Sequence, residues 1–263
     1  MTLLRQHAPG ASWTEPEGLA PRGTLVVIPG RGESPAVYER FGRRIAGDAY
    51  RVHAVADPTD DAALTAAQIE NALGGPRPFV LVGSDTGALF AVGLVASGRL
   101  PDVDALILAG LPAAPESTAE STTESPDEST ARTAPGPGVS WEEELGARTT
   151  CPTHRGRLDD GGIVRRGALY EPVPAGWADL ADLAQITQPV LGLHGADDPV
   201  SPLSAVRDKY AAAPHAEFFS VAGTTHDALN NATHRTVAAT VVLFLERLRL
   251  GADLPSIAVR ESL

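Results

Sequence analysis

Runs of β-branched and aliphatic residues alternate along the chain with segments whose apolar positions recur every three to four residues. Thr24-Leu25-Val26-Val27-Ile28 is the first strong run, ended by Pro29-Gly30. A run apolar at consecutive positions suits a strand buried on both faces of a parallel sheet. A helical pattern follows from Ser34-Pro35, with Val37, Phe41 and Ile45 on one face; serine then proline suits an N-cap and first turn. The alternation continues with strands at 51–55, 79–82 and 103–109 and helices at 62–73 and 86–96. It resumes with a strand at 189–194, a helix at 202–212, a strand at 218–221 and a periodic helix at 236–250. Val237, Val241, Leu245 and Leu248 form the buried stripe of that last helix. Such alternation predicts an α/β protein with a mostly parallel, doubly wound sheet covered on both faces. The irregular first twenty residues are expected to supply only short edge strands.

The pattern breaks at Leu111. Residues 112–139 are rich in Ser, Thr, Pro and Glu, and Glu116, Glu120, Glu124, Asp127 and Glu128 face a single Arg132. Such a segment buries too little apolar surface to offset its ordering entropy and is expected to form a flexible loop. Helical character returns at Trp141–Arg148 and Pro152–Leu158. The expected organisation is a core of 1–110 and 179–250, a small helical cap inserted over 111–178, and a loose tail over 251–263.

With 263 residues, 43% of them hydrophobic, the chain has enough material for one sizeable core. A formal net charge of −12 disfavours nucleic acid and anionic membrane surfaces as partners. Cys151 is the only cysteine, which excludes an internal disulfide and a cysteine-based zinc site. No apolar run reaches membrane-spanning length, and Met1-Thr2-Leu3-Leu4-Arg5 lacks a signal-peptide core, so a cytoplasmic location is expected.

Ligands of a doubly wound sheet bind beyond the carboxyl ends of its strands, and three such ends carry reactive residues. Gly83-Ser84-Asp85-Thr86-Gly87 follows the strand at 79–82. A nucleophile on a tight strand-to-helix turn needs small residues two before and two after it. Gly83 and Gly87 satisfy this around Asp85, whereas centring on Ser84 puts Val82 and Thr86 at the crowded positions. The plainer alternative makes Asp85 a helix N-cap. Gly195-Ala196-Asp197-Asp198-Pro199 follows the strand at 189–194, and either acid suits the role of orienting a histidine; an acid-capped turn is the plainer reading. Ala222-Gly223-Thr224-Thr225-His226 follows the last strand and places His226 as a candidate base.

In this order the three motifs resemble those of the α/β-hydrolase superfamily, whose catalytic residues run nucleophile, acid, histidine. The resemblance covers roughly Leu25 to Leu250 and implies Asp85, Asp198 and His226. Gly195 to Asp198 fits the superfamily's Gly-x-x-Asp, which favours Asp198 over Asp197, and Gly223 to His226 fits its Gly-x-x-His. It implies an oxyanion hole from the backbone N–H groups of Thr86 and Arg31, with Pro29-Gly30 standing where His-Gly is frequent. Arg31 either pairs with Glu33 at the surface or recognises a substrate carboxylate or phosphate.

An aspartate at this turn is similar to the Gly-x-Asp-x-Gly elbow of epoxide hydrolases and of haloalkane and haloacid dehalogenases. Attack of a carboxylate on an ester carbonyl gives only an anhydride, whereas attack on a saturated carbon gives an ester that activated water can cleave. Thr86 stands where such dehalogenases carry Trp or Arg, which favours the epoxide. Tyr170, the only tyrosine of the cap, is the candidate proton donor, with Trp177 and His154 as further pocket candidates. The expected function is a cofactor-independent hydrolase, without metal, acting on a small-molecule substrate through an aspartyl ester. The alternatives are an esterase or lactonase using Ser84, a lyase or base role for Asp85, and a catalytically silent binding protein.

Overall fold

The computed structural model describes residues 10–113 and 138–261. The acidic segment read as a flexible loop over 112–139 lies outside the described residues except at its two ends. Seven strands form one sheet: β1 (Ala11–Trp13), β2 (Gly23–Ile28), β3 (Tyr50–Ala54), β4 (Phe79–Ser84), β5 (Ala105–Ala109), β6 (Val190–Gly195) and β7 (Ala216–Val221). Their spatial order is β1-β3-β2-β4-β5-β6-β7. Only β1 runs antiparallel, pairing with β3 from Ala11 opposite Ala54 to Trp13 opposite Val52.

Helices α1 (Glu39–Gly47) and α8 (His234–Leu248) cover one face. Phe41 and Ile45 meet Val237, Val241 and Leu245 there above Val27 and Val82. Helices α2 (Ala62–Ala72), α3 (Thr86–Ala96) and α7 (Leu203–Ala211) cover the other, where Leu89, Val92 and Val206 pack on Ile28 and Leu81. Every residue of β2, β4, β5 and β6 is buried, which is why those strands read as unbroken apolar runs. The strand expected at 103–109 begins at Ala105; just before it Asp104 donates its N–H to the Phe79 carbonyl at 2.8 Å, and its carboxylate accepts the Phe79 N–H at 2.6 Å.

Chain direction reverses across the sheet between β2 and β4: β2 connects outward to β3, and β4 then returns to the other side of β2. At this switch point, where doubly wound sheets bind ligands, the loops after β2 and β4 carry Arg31 and Asp85.

Between β5 and β6 the described chain forms α4 (Trp141–Arg148), α5 (Pro152–Asp160) and the short α6 (Trp177–Leu180). Ser140 and Glu143 close a reciprocal capping box on α4, and Pro152 occupies the first turn of α5. Backbone bonds stitch this layer to the loops after β2 and β7. Arg165 donates to the Gly32 carbonyl at 2.7 Å, and Ser34 to that of Ile163 at 2.8 Å. His226 and Asp227 donate to the carbonyls of Ala147 and Arg148 at 3.1 and 2.8 Å. Among the described residues, no helix is long and apolar enough to cross a membrane.

Candidate active site

Asp85 sits in the turn between β4 and α3 with φ 50° and ψ −124°. A non-glycine residue in that region stores strain on the order of 1–3 kcal/mol, which surrounding structure has to hold. Its flanking glycines are sterically required. A Cβ on Gly83 would lie 2.4 Å from the Ala88 Cα, and one on Gly87 would lie 2.3 Å from the Ile28 carbonyl oxygen. The plainer N-cap reading is not realised, since the Asp85 side chain makes no capping hydrogen bond to α3. Ser84 instead ends β4 opposite Ala109, and its hydroxyl lies against Tyr38.

Asp198 and His226 converge on Asp85. The Nδ1 of His226 is 2.8 Å from Asp198 Oδ2. Asp198 is held in turn by the Val200 and Ser201 N–H groups, which donate to its Oδ1 at 2.8 and 3.0 Å. Asp197 is exposed to solvent. On its other side, His226 presents Nε2 3.3 Å from Asp85 Oδ1, without the alignment of a hydrogen bond. Burial disfavours a charged imidazole, but Asp198 and Asp85 outweigh it and hold the His226 pKa up at about 10. That balance favours the protonated imidazole. Asp85 and Asp198 are correspondingly held well below the usual carboxylate range: burial opposes their charge, Arg31 and then His226 dominate at Asp85, and His226 with His194 at Asp198.

Arg31 does not pair with Glu33. Its guanidinium grips Asp85 through Nε to Oδ2 and Nη2 to Oδ1, both at 2.8 Å. Its backbone N–H also reaches Oδ2, at 3.1 Å. The two carboxylate oxygens are thus distinct: Oδ2 takes the backbone donor of the loop after β2, and Oδ1 faces the imidazole. Arg31 Nη1 donates to the Glu171 carbonyl of the inserted layer. The neighbouring Gly32 N–H is taken by Asp57 Oδ2 at 2.6 Å, and burial pushes that carboxyl up to about 6. Arg31, Asp85 and His226 are all under a tenth exposed.

The partner of Glu33 is Arg148 at the end of α4, 2.9 Å away and 2% exposed. Arg148 also binds Glu144 at 2.8 Å and the Arg31 carbonyl at 3.2 Å. Sequence reasoning missed this network. Its only visible signal was the i, i+4 spacing of Glu144 and Arg148, which on its own reads as a surface pair.

The pocket candidates separate. Tyr170 is half-buried, one residue before the Glu171 carbonyl that holds Arg31. Trp177 packs on Phe90 of α3, ring centroids 5.0 Å apart. His154 is buried on α5 with its Nε2 3.0 Å from Asp227, the residue after His226, so its partner is a neighbour of the site and not Asp85. Thr86 is fully buried, and its hydroxyl has no hydrogen-bond partner.

No protein-family profile matches the chain, and neither does any curated protein sequence. Solved structures do match. A monoacylglycerol lipase of Paleococcus ferrophilus is 18% identical, with 92% of this chain and 98% of that one covered at a TM-score of 0.65. A soluble variant of the monoglyceride lipase of Saccharomyces cerevisiae, in complex with a substrate analogue, is 15% identical over 91% of each chain at a TM-score of 0.69. An esterase from Rhodococcus is 22% identical over 86% of this chain and 91% of that one at 0.62. These likenesses establish the α/β-hydrolase fold.

Proposed function

We propose that the chain is a cofactor-independent hydrolase in which Asp85 attacks a saturated electrophilic carbon, an epoxide above all, to form an aspartyl ester that His226 and Asp198 help water to cleave. The observation that carries this reading is the buried, unpartnered Nε2 of His226 beside Asp85 Oδ1, with its Nδ1 tied to Asp198. Oδ1 attacks the ring carbon. The C–O bond breaks, and the ring oxygen keeps the electron pair and takes the Nε2 proton. A resting imidazolium suits this step, whereas a departing halide needs no proton; the charge state therefore favours the epoxide.

Esterification removes one of the two anions that hold the His226 proton, so the imidazole stays neutral as a base. Water adds to Cγ and gives its proton to Nε2, while the Arg31 N–H holds the negative charge on Oδ2. Collapse breaks the Cγ–Oδ1 bond; the product leaves with Oδ1 and takes the His226 proton. The carboxylic acid left at Asp85 returns its proton to His226, and the sum is epoxide plus water to diol. Tyr170, Trp177 and Thr86 form the pocket wall in this reading, with the Thr86 N–H as second oxyanion donor.

One turnover with enzyme in excess, in heavy-oxygen water, tests the route. The first diol is expected to be unlabelled, and the peptide containing Asp85 to gain one heavy oxygen. Label in the first product would mean that water attacks the substrate directly. The names of the similar structures, lipases and esterases, favour ester cleavage as the second reading. A screen in which aryl esters turn over while epoxides and halides do not would establish it.

The pH dependence has a distinctive form. Free enzyme needs His226 protonated, so kcat/KM on an epoxide is expected to be flat through neutrality and to fall about tenfold per pH unit above pH 10 or so. Ester cleavage needs His226 neutral after one anion is lost. Where that step limits, kcat therefore rises with pH, around a pKa below that of the free enzyme. Identical pKa values in the two profiles would contradict the two-step scheme.

A further inference from the structure

Both oxygens of the proposed nucleophile are already engaged by one guanidinium. Nη2 of Arg31 holds Oδ1, the oxygen facing His226, and Nε with the backbone N–H holds Oδ2. The pair is almost wholly out of solvent, with side chains 8% and 4% exposed. Oδ1 attacks only once the fork lets go of it. A neutral electrophile would leave the guanidinium buried and without its anion, which is strongly unfavourable. An incoming carboxylate offers the same planar, two-oxygen acceptor that Asp85 now provides, so the exchange conserves the bidentate bonds.

Charge sets the size of the anion. Arg31 and His226 face Asp85 and Asp198 in the closed site, and Asp57 and Glu171 also act on Arg31, so a monoanion is accommodated more readily than a phosphate dianion. Position sets the connectivity. Asp85 Oδ1 now lies 2.8 Å from the fork atom, so a carboxylate that replaces it there sits next to the displaced Oδ1, and the carbons within reach of attack are those nearest that carboxylate. Arg31 is also tied to the inserted layer through the Glu171 carbonyl, which keeps the fork between core and cap.

We propose that the electrophile is a small 2,3-epoxy acid or an acid of similar build, whose carboxylate takes the Arg31 fork from Asp85 and so releases the nucleophile. This rests on the nucleophile reading above. It makes Arg31 a substrate-binding residue and makes the anion a condition for attack.

Two measurements test it. Wild-type kcat/KM for 2,3-epoxypropanoate is expected to exceed that for 2,3-epoxypropanamide by about 100-fold or more. Arg31→Lys, which keeps the charge and loses the fork, is expected to cut that ratio at least tenfold, chiefly through the acid. Independently of turnover, Asp85→Asn removes the anion from the fork. Propanoate is expected to raise the Tm of that variant well above its effect on wild type, with propanamide inert. Equal hydrolysis of acid and amide, with the heavy-oxygen signature intact, overturns the carboxylate inference and leaves the nucleophile reading standing. Equal shifts of Asp85→Asn by propanoate and propanamide overturn it as well. Failure of every epoxide and halide to give an aspartyl ester overturns the nucleophile reading itself, and propanoate binding by Asp85→Asn then reports on the fork alone.

Discussion

With Asp85 as the proposed nucleophile, Asp85→Asn is expected to lower kcat/KM on an epoxide by about 10⁴-fold or more, because an amide cannot form the ester on which the second step operates. The same substitution has a second effect of opposite origin. Arg31 loses the anion that neutralises it in a closed site, and stranding a buried partner costs roughly 3–5 kcal/mol. Part of this is recovered, since the amide oxygen still accepts one bond. His226 also loses one of its two anions, so its pKa falls from about 10. Chemical denaturation and imidazole titration by NMR read these effects separately from turnover. Residual activity within tenfold of wild type, with an unchanged imidazole titration, would remove Asp85 from the chemistry altogether.

The sheet was legible because its central strands are buried on both faces and therefore carry unbroken apolar runs. The three loops beyond them were legible for a different reason. After β4 and β6 a polar side chain sits by a crowded backbone turn that leaves its trace in glycine, whereas Gly223 before His226 has open space around it and is favoured by its positive φ of 65°. The clash a side chain would meet at Gly83 or Gly87 is the physical content of that spacing. Which acid faces His226 was less so: Asp197 and Asp198 are adjacent, and only the superfamily's spacing preferred the second. The bonds from Val200 and Ser201 to Asp198 supply the structural reason.

Side-chain pairings between distant segments left no comparable trace. Arg31 and Glu33, two residues apart, suggested a mutual surface pair, yet a loop that turns sharply sends them to opposite partners, Asp85 and Arg148. His154 shows the same limit. Helical spacing placed it on α5, but its partner Asp227 lies 73 residues away by numbering, and no local pattern encodes that meeting.

Arg148→Met is expected to be the most destabilising single change among the charged residues of the inserted layer. One guanidinium satisfies Glu33, Glu144 and the Arg31 carbonyl, and its removal leaves two buried carboxylates without their cation. A loss of about 4 kcal/mol follows from breaking such a pair on one side only, or roughly 10 °C in Tm for a chain of this size. The pH dependence gives the sign. Burial already pushes the Glu33 pKa up against the pull of Arg148, and without Arg148 it rises further. A carboxyl whose folded pKa lies above its unfolded value contributes stability that is full at low pH and lost as pH rises through the folded pKa. The deficit of Arg148→Met relative to wild type should therefore shrink as pH falls, and Glu33→Gln in the same chain should restore part of it at neutral pH. Glu144 also accepts the Gly167 and Leu169 N–H groups, so the double variant stays below wild type. A deficit that is constant with pH, or unaffected by Glu33→Gln, would locate the loss in packing of the methylene stem and not in the stranded charges.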